Sequence, residues 1–188
     1  MKNRNLTLLT DYYELTMMYG YFKKQMTKTR SVFDLFFRAN SESNYCIAAG
    51  LEQAVQYIEN LRFEKEQLDY LRSTKDFDED FLAYLENFRF SGDIYALEEG
   101  TVVFPGEPLM IVKAPIIEAQ LMESALLNIV NFQTLIATKA SRVAYVAQPG
   151  QVSEFGLRRA QGPDAGIYGA RAAMIGGCQA TSNVLTGQ

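Results

Sequence analysis

The sequence predicts an α/β fold in two parts: a mixed α+β domain over residues 1–150, and the start of a parallel α/β array over residues 151–188. Through the first part, apolar residues at helical spacing alternate with short apolar runs that Gly and Pro interrupt. The second part has the order strand, loop, helix, strand, which is typical of a parallel βαβ unit.

The composition is that of an ordinary globular protein, and it excludes several kinds of site. Apolar residues make up 48% of the chain and charged residues 21%. The net charge of −4 gives no basic field for nucleic acid, and no window stays apolar for the roughly 18–20 residues of a membrane span. The absence of histidine excludes His-dependent triads and His metal sites within these residues. Because two isolated cysteines suit a reducing cytosol, we expect a cytoplasmic protein without nucleic-acid or membrane partners.

Helices dominate the predicted elements before residue 93. Asp11 and Glu14 have the spacing of a capping box, and apolar residues at helical spacing follow, which predicts a helix over residues 11–25. An alternating run then predicts a strand that ends at Arg38, and a shorter strand follows over residues 45–49. Three more helical patterns come next, and Asp78 is the predicted cap of the last one.

Short strands are predicted after residue 93. Apolar runs cover residues 94–97, 101–104 and 109–112. Pro105-Gly106 suits the central positions of a type II turn, so the last two runs are predicted to form a hairpin. Helical spacing returns over residues 116–147, with Asn131 as a candidate cap of a second helix within that stretch.

The final part contains the start of the parallel array. Residues 151–157 are predicted as a strand, Asp164 as the cap of the following helix, and Gly176-Gly177 as its end. About one and a half strand–helix units fit here, whereas a closed barrel needs eight. We therefore expect an incomplete array with open strand edges and uncovered apolar faces.

The segment of residues 154–159, Glu-Phe-Gly-Leu-Arg-Arg, is the most informative for chemistry. Arg158 and Arg159 are predicted to follow the first strand of the array, at the end where barrel enzymes build active sites. A guanidinium fork matches carboxylate or phosphate oxygens in two places at once; the alternative is a solvated arginine pair. Phe155 offers a flat face to an aromatic ligand, or is an ordinary core residue.

Other polar side chains are candidates for the same kind of ligand. Ser182 and Asn183 follow the second predicted strand of the array and suit a sugar or phosphate, and they equally suit a plain turn. Arg38 at a strand end and Lys139 on a helix suit phosphate, with a solvated position as the alternative for each. Tyr13 lies in the first turn of a helix, where the positive dipole end favours anions.

Taken together, these segments resemble the nicotinate phosphoribosyltransferase family, in order and over essentially the whole chain. The resemblance is carried by Leu-Leu-Thr-Asp-Tyr-Tyr at 8–13, Phe-Asp-Leu-Phe-Phe-Arg at 33–38, Asn-Phe-Gln-Thr-Leu-Ile-Ala-Thr-Lys at 131–139, Glu-Phe-Gly-Leu-Arg-Arg-Ala-Gln-Gly at 154–162 and Thr-Ser-Asn-Val-Leu at 181–185. The run at 154–162 is highly specific.

The resemblance implies an NAD-salvage enzyme that joins nicotinate to phosphoribosyl pyrophosphate and releases nicotinate mononucleotide and pyrophosphate. It implies ATP hydrolysis coupled through a phosphorylated histidine, and Mg²⁺ on the pyrophosphate. The implied fold is a mixed α/β amino-terminal domain followed by an irregular α/β barrel of the type II phosphoribosyltransferase kind, of which this chain holds the first part. The implied assembly is a homodimer with shared active sites.

The resemblance also implies roles for residues around the pyridine ring. Phe155 looks like the aromatic that stacks on one ring face, and Tyr13 resembles the tyrosine that covers the other face from the partner subunit. Arg158 is similar to the family arginine near the ring and phosphoribosyl group, with Arg159 beside it.

For the sugar and phosphates, Ser182 and Asn183 fall near the family's ribose and base region. Arg38 looks like a phosphate-side residue contributed across the dimer, and Lys139 is a second phosphate-binding candidate. No catalytic residue or metal ligand is assigned in this chain, because the family histidine belongs to a Gly-Thr-x-Ala-His-Ser motif expected beyond residue 188. Gln179 stands where relatives often carry an acidic or small residue.

We therefore expect the 188-residue chain to be inactive alone. Two alternatives remain open at this point. One is a non-catalytic dimerising or pyridine-acid-binding module, and the other is a nicotinamide or quinolinate phosphoribosyltransferase.

Overall fold

The computed structural model describes residues 4–38 and 44–188, in which helices and short strands alternate. The helices are α1 (Tyr12–Lys23), α2 (Leu51–Glu59), α3 (Lys65–Thr74), α4 (Glu79–Glu86), α5 (Ile116–Leu121), α6 (Glu123–Ala147), α7 (Pro163–Ile175) and α8 (Val184–Gly187). The strands are β1 (Arg30–Phe36), β2 (Cys46–Ile47), β3 (Asp93–Ala96), β4 (Val102–Val103), β5 (Pro108–Pro115), β6 (Ser153–Glu154) and β7 (Ala180–Thr181), and a 3-10 turn covers Leu157–Arg159. None of the helices within the described ranges has both the length and the apolar character needed to cross a membrane.

The described strands form three small sheets. One has the order β1-β5-β3, and the second pairs β2 with β4 in antiparallel fashion. The third is a parallel pair, β6 and β7, in which Ser153 lies opposite Ala180 and Glu154 opposite Thr181. Because α7 connects these two strands, the predicted strand–helix–strand unit is confirmed.

Contacts along the chain group its residues into two compact units. The first unit takes its described residues from segments 1–34, 52–95 and 111–127, and the second from segments 35–51, 96–110 and 128–188. The predicted domain boundary at residue 150 stays a prediction.

The first unit is held together by α1 packed on α5 and by a cluster of aromatic rings. Phe81 is fully buried at the centre of that cluster, with ring centroids 5.2 Å from Tyr19 and 5.4 Å from Phe22. Phe77 and Tyr84 complete the cluster. Tilted and edge-on rings at this spacing pack favourably, so the ring geometry adds to the stabilisation that apolar burial provides between α1 and α4.

In the second unit, α6 provides side-chain hydrogen bonds to the β2 region. The amide of Ile47 donates to the Thr138 hydroxyl over 2.9 Å, and the amide of Ala49 donates to the Thr134 hydroxyl over 3.3 Å. The adjoining core is built from Ile47, Ala49, Ala137 and Ala172. Small side chains allow close approach here, and the two threonines supply the partners that buried amides require.

A half-buried ion pair joins three segments of the second unit. Arg171 on α7 donates to both Glu99 oxygens, over 2.9 and 2.6 Å, and the Glu99 carboxylate also accepts from the amides of Gly50 and Leu51. Burial alone would raise the pKa of Glu99, but the bonds from Arg171 and the Gly50 amide outweigh it and hold that pKa below its usual value.

Several local sequence predictions are confirmed. Helix α1 and the three helices after it lie where the apolar spacing places them, and the Asp78 side chain caps α4 by accepting from the Phe81 amide over 3.0 Å. The Pro105-Gly106 turn is present, with the Glu107 amide donating to the Phe104 carbonyl over 3.1 Å. Gly176 ends α7 as expected.

The hairpin predicted around that turn is wrong. Strand β4 pairs with β2, while β5 lies between β1 and β3. The turn depends only on neighbouring residues, whereas strand pairing depends on residues far away in the chain. The two strands on either side of the turn therefore pair in different sheets.

Three predicted caps are also wrong. Asp11 occupies the N-cap position of α1 without a side-chain cap bond, because its carboxylate accepts from the Ser124 hydroxyl instead. Asn131 lies inside the single helix α6, which begins after a break at Met122. Gly162 caps α7 with Pro163 as its first residue, so Asp164 lies within the first turn.

The strand predicted over residues 151–157 is shorter than expected, since β6 covers only Ser153–Glu154. Beyond it, the chain turns sharply enough to form the 3-10 turn Leu157–Arg159. The two arginines therefore lie on a turn and not at a strand end.

A buried carboxyl group lies between α1 and the start of α6 in the first unit. Glu14 is 0% exposed; one of its oxygens accepts from the Ser124 amide over 3.0 Å, and the other accepts from the Thr10 hydroxyl. Burial raises the pKa of Glu14 to about 7, opposed by the Ser124 hydrogen bonds and assisted by the nearby Glu123 and Asp11 charges.

We predict that Gly50→Ala destabilises the protein far more than Gly106→Ala. Both glycines have positive φ, at 100° and 85°, which costs an alanine about 1 kcal/mol. A Cβ at Gly50 would also lie 3.0 Å from the Ile129 carbonyl oxygen and 3.1 Å from the Val130 Cα, whereas nothing lies within 4 Å at Gly106. Urea unfolding should give a loss of about 2–4 kcal/mol for Gly50→Ala. Equal losses in the two variants would contradict the close packing at Gly50.

We also predict that Glu14 makes the protein less stable as the pH rises. The folded state keeps a proton on Glu14 between about pH 4.5 and 7, where the unfolded chain has lost it, so its contribution is complete below 4.5 and is lost as the pH rises through 7. In Glu14→Gln this loss, of order 2–3 kcal/mol, should disappear. Urea unfolding from pH 4.5 to 8 measures it, with the exposed Glu66→Gln as the matched control. Parallel curves for wild type and Glu14→Gln would refute the assignment.

Candidate functional site

The carboxyl ends of the parallel strands β6 and β7 lie side by side. In addition to the register between Glu154 and Thr181, the Ser182 amide donates to the Glu154 carbonyl over 3.0 Å. The segments that follow each strand, residues 155–162 and 182–183, therefore leave from one edge of the pair. This edge is where ligands bind in parallel α/β folds.

The turn after β6 presents an aromatic ring and two cations to solvent. Phe155 is 63% exposed, and Arg158 and Arg159 are both exposed on the 3-10 turn. An exposed Phe and two exposed arginines on one short segment offer a flat apolar face and positive charge. A planar aromatic anion has the complementary chemistry.

A cavity of about 230 Å³ lies behind this turn. Its walls come from α6, the 3-10 turn and α7, and its lining residues are Phe132, Ile136, Glu154, Gly156, Leu157, Arg159, Ala160, Gln161, Ala165, Gly166, Gly169 and Ala170. Arg159 thus borders the cavity, whereas Phe155 and Arg158 stand outside its lining. The cavity is smaller than a typical ligand pocket of about 300–1,000 Å³.

The two polar residues after β7 differ in exposure and in the hydrogen bonds that their side chains make. Ser182 is exposed. Asn183 is only 4% exposed, and its side-chain amide donates to the Gly166 carbonyl over 3.0 Å. Its backbone amide donates to the Thr181 hydroxyl over 3.1 Å. The Asn183 side chain therefore ties the β7 end to α7 in this structure.

Sequence reasoning missed the roles of two residues that tie β6 to β7, Glu154 at this edge and Gln179 at the other end. One Glu154 oxygen accepts from the Gly156 amide, and the other accepts from the Thr181 hydroxyl over 2.8 Å. At the opposite end of the strand pair, Gln179 accepts from the Val152 amide over 2.8 Å. The sequence signal for the role of Glu154 was the glycine two residues later, Gly156, whose amide donates to the Glu154 carboxylate.

Tyr13 belongs to the first unit and lies on α1. It is half-exposed, and its hydroxyl donates to the Glu123 carboxylate over 3.1 Å. Desolvation of the hydroxyl and then the Glu123 carboxylate raise the pKa of Tyr13 to about 12. The phenol is therefore protonated at neutral pH.

The two phosphate-side candidates are both exposed cationic residues. Arg38 follows β1 and Lys139 lies on α6. Across the ranges that the structure describes, no group of three or more acidic, thiol or imidazole side chains is arranged to hold a metal ion.

Comparison with known proteins gives consistent matches. The family model of the nicotinate phosphoribosyltransferase (NAPRTase) N-terminal domain matches residues 8–131. A nicotinate phosphoribosyltransferase of Bacillus subtilis is 47% identical over 188 residues, which are 100% of this chain and 38% of the relative. One of Caenorhabditis elegans is 41% identical over 186 residues, covering 96% of this chain and 33% of the relative. The chain thus spans less than half the length of these curated relatives.

Solved structures agree with these matches. The crystal structure of human nicotinic acid phosphoribosyltransferase aligns with a TM-score of 0.88 at 37% identity, over 96% of this chain and 37% of that chain. The nicotinate-nucleotide pyrophosphorylase from Pyrococcus furiosus aligns with a TM-score of 0.74 at 22% identity, over 97% of this chain and 39% of that chain, which shows a shared mixed α/β fold alone. Because the family model covers well over half of its residues, this chain belongs to the nicotinate phosphoribosyltransferase family.

Proposed function

We propose that this chain serves an enzyme that joins nicotinate to phosphoribosyl pyrophosphate, giving nicotinate mononucleotide and pyrophosphate in NAD salvage. The observation that carries the proposal is the turn after β6, where Phe155, Arg158 and Arg159 are all exposed within one short segment. The names of the relatives from Bacillus subtilis and Caenorhabditis elegans support nicotinate as the pyridine substrate.

The chemistry of the substrates fits these groups. Nicotinate is a flat ring with a carboxylate, so Phe155 stacks on the ring while a guanidinium fork binds a carboxylate or phosphate oxygen pair. The pyridine nitrogen forms a bond to the anomeric carbon of the phosphoribosyl group. The bond from that carbon to the pyrophosphate oxygen breaks, and its electron pair leaves with pyrophosphate. Fixed cations near the leaving group stabilise the charge that develops there.

Tyr13, Arg38, Lys139, Ser182 and Asn183 complete the proposed site. In the proposal, Tyr13 of a partner subunit covers the second ring face in a homodimer, and Arg38 and Lys139 bind phosphates. Ser182 is free to contact the sugar, since it is exposed. Asn183 contributes through its hold on Gly166 rather than by reaching into solvent.

Mg²⁺ and ATP belong to the proposal as the cofactors that the family resemblance implies. The acidic side chains do not gather into a metal-holding group within residues 4–38 and 44–188. The proposal therefore has Mg²⁺ carried by the phosphates of the co-substrate. The sequence contains no histidine, so the phosphorylated histidine that the resemblance implies is not among these residues.

We also propose that β6, α7 and β7 begin an irregular α/β barrel in a cytoplasmic protein. Two apolar residues directly after β7 are strongly exposed, Val184 at 87% and Leu185 at 64%. Apolar side chains left open at the start of a parallel array are what an incomplete barrel would show.

The alternatives are a non-catalytic dimerising or pyridine-acid-binding module, and a nicotinamide or quinolinate phosphoribosyltransferase. The first predicts ligand binding without turnover in the full-length protein. The second predicts preference for an uncharged amide or for a second carboxylate on the ring. Competition among the three pyridines separates these functions.

We predict that Phe155→Ala weakens nicotinate binding by the full-length protein about two- to thirteenfold, because ring stacking contributes about 0.5–1.5 kcal/mol. Calorimetry with nicotinate measures the change. Tyr145→Ala is the matched control, since Tyr145 is a strongly exposed aromatic residue elsewhere in the same unit. Unchanged affinity in Phe155→Ala would show that the Phe155 ring does not contact nicotinate. Tighter binding of nicotinamide than of nicotinate would favour the alternative substrate.

We further predict that the isolated 188-residue chain forms no nicotinate mononucleotide from nicotinate, phosphoribosyl pyrophosphate and ATP. Its described residues hold the ring-and-cation turn, but the chain has no histidine and only the first part of the proposed barrel. Product detection by chromatography and mass measurement tests this. Steady turnover by the isolated chain would show that these residues suffice for catalysis.

A further inference from the structure

We infer that Glu154 is a positioning residue, whose carboxylate sets the turn bearing Phe155, Arg158 and Arg159 against the end of β7. This inference rests on the proposed function, since it assigns what holds the proposed substrate-binding groups in place. Glu154 is not proposed to touch substrate.

The first argument is that one carboxylate joins two loops. The Gly156 amide donates to one Glu154 oxygen, and the Thr181 hydroxyl donates to the other over 2.8 Å. Thr181 in turn accepts from the Asn183 amide over 3.1 Å. The carboxylate thus connects the start of the arginine turn with the segment that carries Ser182 and Asn183.

The second argument is the space that Gly156 leaves. A Cβ at Gly156 would lie 2.7 Å from the same Glu154 oxygen that its amide contacts. The φ of Gly156 is −86°, which any residue adopts, so its backbone conformation does not require glycine. A side chain at position 156 would instead displace the Glu154 carboxylate from its hydrogen bond with the Gly156 amide. Residues 154 and 156 therefore form one structural device with Phe155 between them.

The third argument concerns the direction of the side chains. Glu154 lies among the residues that line the cavity behind the turn, together with Arg159. Phe155, the next residue, is 63% exposed. Successive side chains at the end of a strand point to opposite faces, so fixing Glu154 inward directs Phe155 outward.

Both Glu154 oxygens accept hydrogen bonds, so in this inference the carboxylate positions the turn and does not transfer a proton. A turn released from Gly156 and Thr181 would let the guanidinium groups drift. Misplacement of site groups by about 1 Å can cost a hundredfold in rate.

The experiment compares Glu154→Ala and Thr181→Val with Thr181→Ser in the full-length protein. The expected result is a fall in kcat/KM for phosphoribosyl pyrophosphate of about ten- to a hundredfold in the first two. Affinity for pyrophosphate, measured by calorimetry, should fall with it. Thr181→Ser keeps the hydroxyl, so its kcat/KM and its affinity for pyrophosphate should stay close to those of wild type. The Gly156 amide proton, followed by NMR, should lie downfield in wild type and move upfield in Glu154→Ala.

Gln179→Ala is the matched control, because it removes a tie between the same two strands at their other end. It should lower the melting temperature while kcat/KM stays near that of wild type. If Gln179→Ala and Thr181→Val lower activity equally, Glu154 is a general stabiliser of the strand pair and the inference fails. If Glu154→Ala does not fold, the comparison of Thr181→Val with Thr181→Ser decides the question.

The two proposals fail in different ways. If the wild-type protein shows no turnover, the proposed function fails, while the Gly156 amide shift and the pyrophosphate affinity still report on Glu154. If the wild-type protein turns over and the folded Glu154 and Thr181 variants match it in kcat/KM, pyrophosphate affinity and the Gly156 shift, the positioning role is refuted.

Discussion

Carboxylates that accept hydrogen bonds from backbone amides hold this protein together where its regular elements stop. Among the described residues, four strands (β2, β4, β6 and β7) have only two residues each, so few of the amides near them are paired within a sheet. A buried amide without a partner costs about 1–3 kcal/mol, and a charged acceptor makes a stronger bond than a neutral one. Glu99 accepts from Gly50 and Leu51, Glu118 accepts from Ser91 over 2.6 Å, and Glu154 accepts from Gly156. The fold depends on glutamates placed at its breaks.

This constraint explains which parts of the fold the sequence predicts. Helices and turns are governed by neighbours in the chain, so the Asp78 cap and the turn before Glu107 lie where local rules place them. Strand pairing is decided by distant partners, and the hairpin prediction failed because β2 and β4 complete a sheet that no local pattern describes. The predicted Asp11 cap is wrong for the same reason, because the Asp11 carboxylate accepts a hydrogen bond from Ser124, more than 100 residues away.

The candidate site was predictable to a similar extent. Residue types and their order located the arginine turn and the end of β7, and the structure brings these two segments together through the parallel pair. The sequence did not reveal how the polar atoms are used. Asn183 has the side chain of a ligand-binding amide, yet that amide is engaged by the Gly166 carbonyl. Glu154 drew attention only as part of a motif, because its two hydrogen-bond donors, the Gly156 amide and the Thr181 hydroxyl, are brought together only by the fold.

The exposure of Phe155 follows from the same geometry. Burying a phenylalanine side chain is worth about 1.5–3 kcal/mol, so a 63% exposed ring forgoes much of that gain. On one side of it Glu154 lines the cavity, and on the other a Cβ at Gly156 would displace the Glu154 carboxylate. The ring between these two residues is directed toward solvent. In the proposed site, the carboxylate that accepts from a loop amide also keeps this apolar ring face open, and a flat ligand that covers the face would recover part of the forgone burial energy.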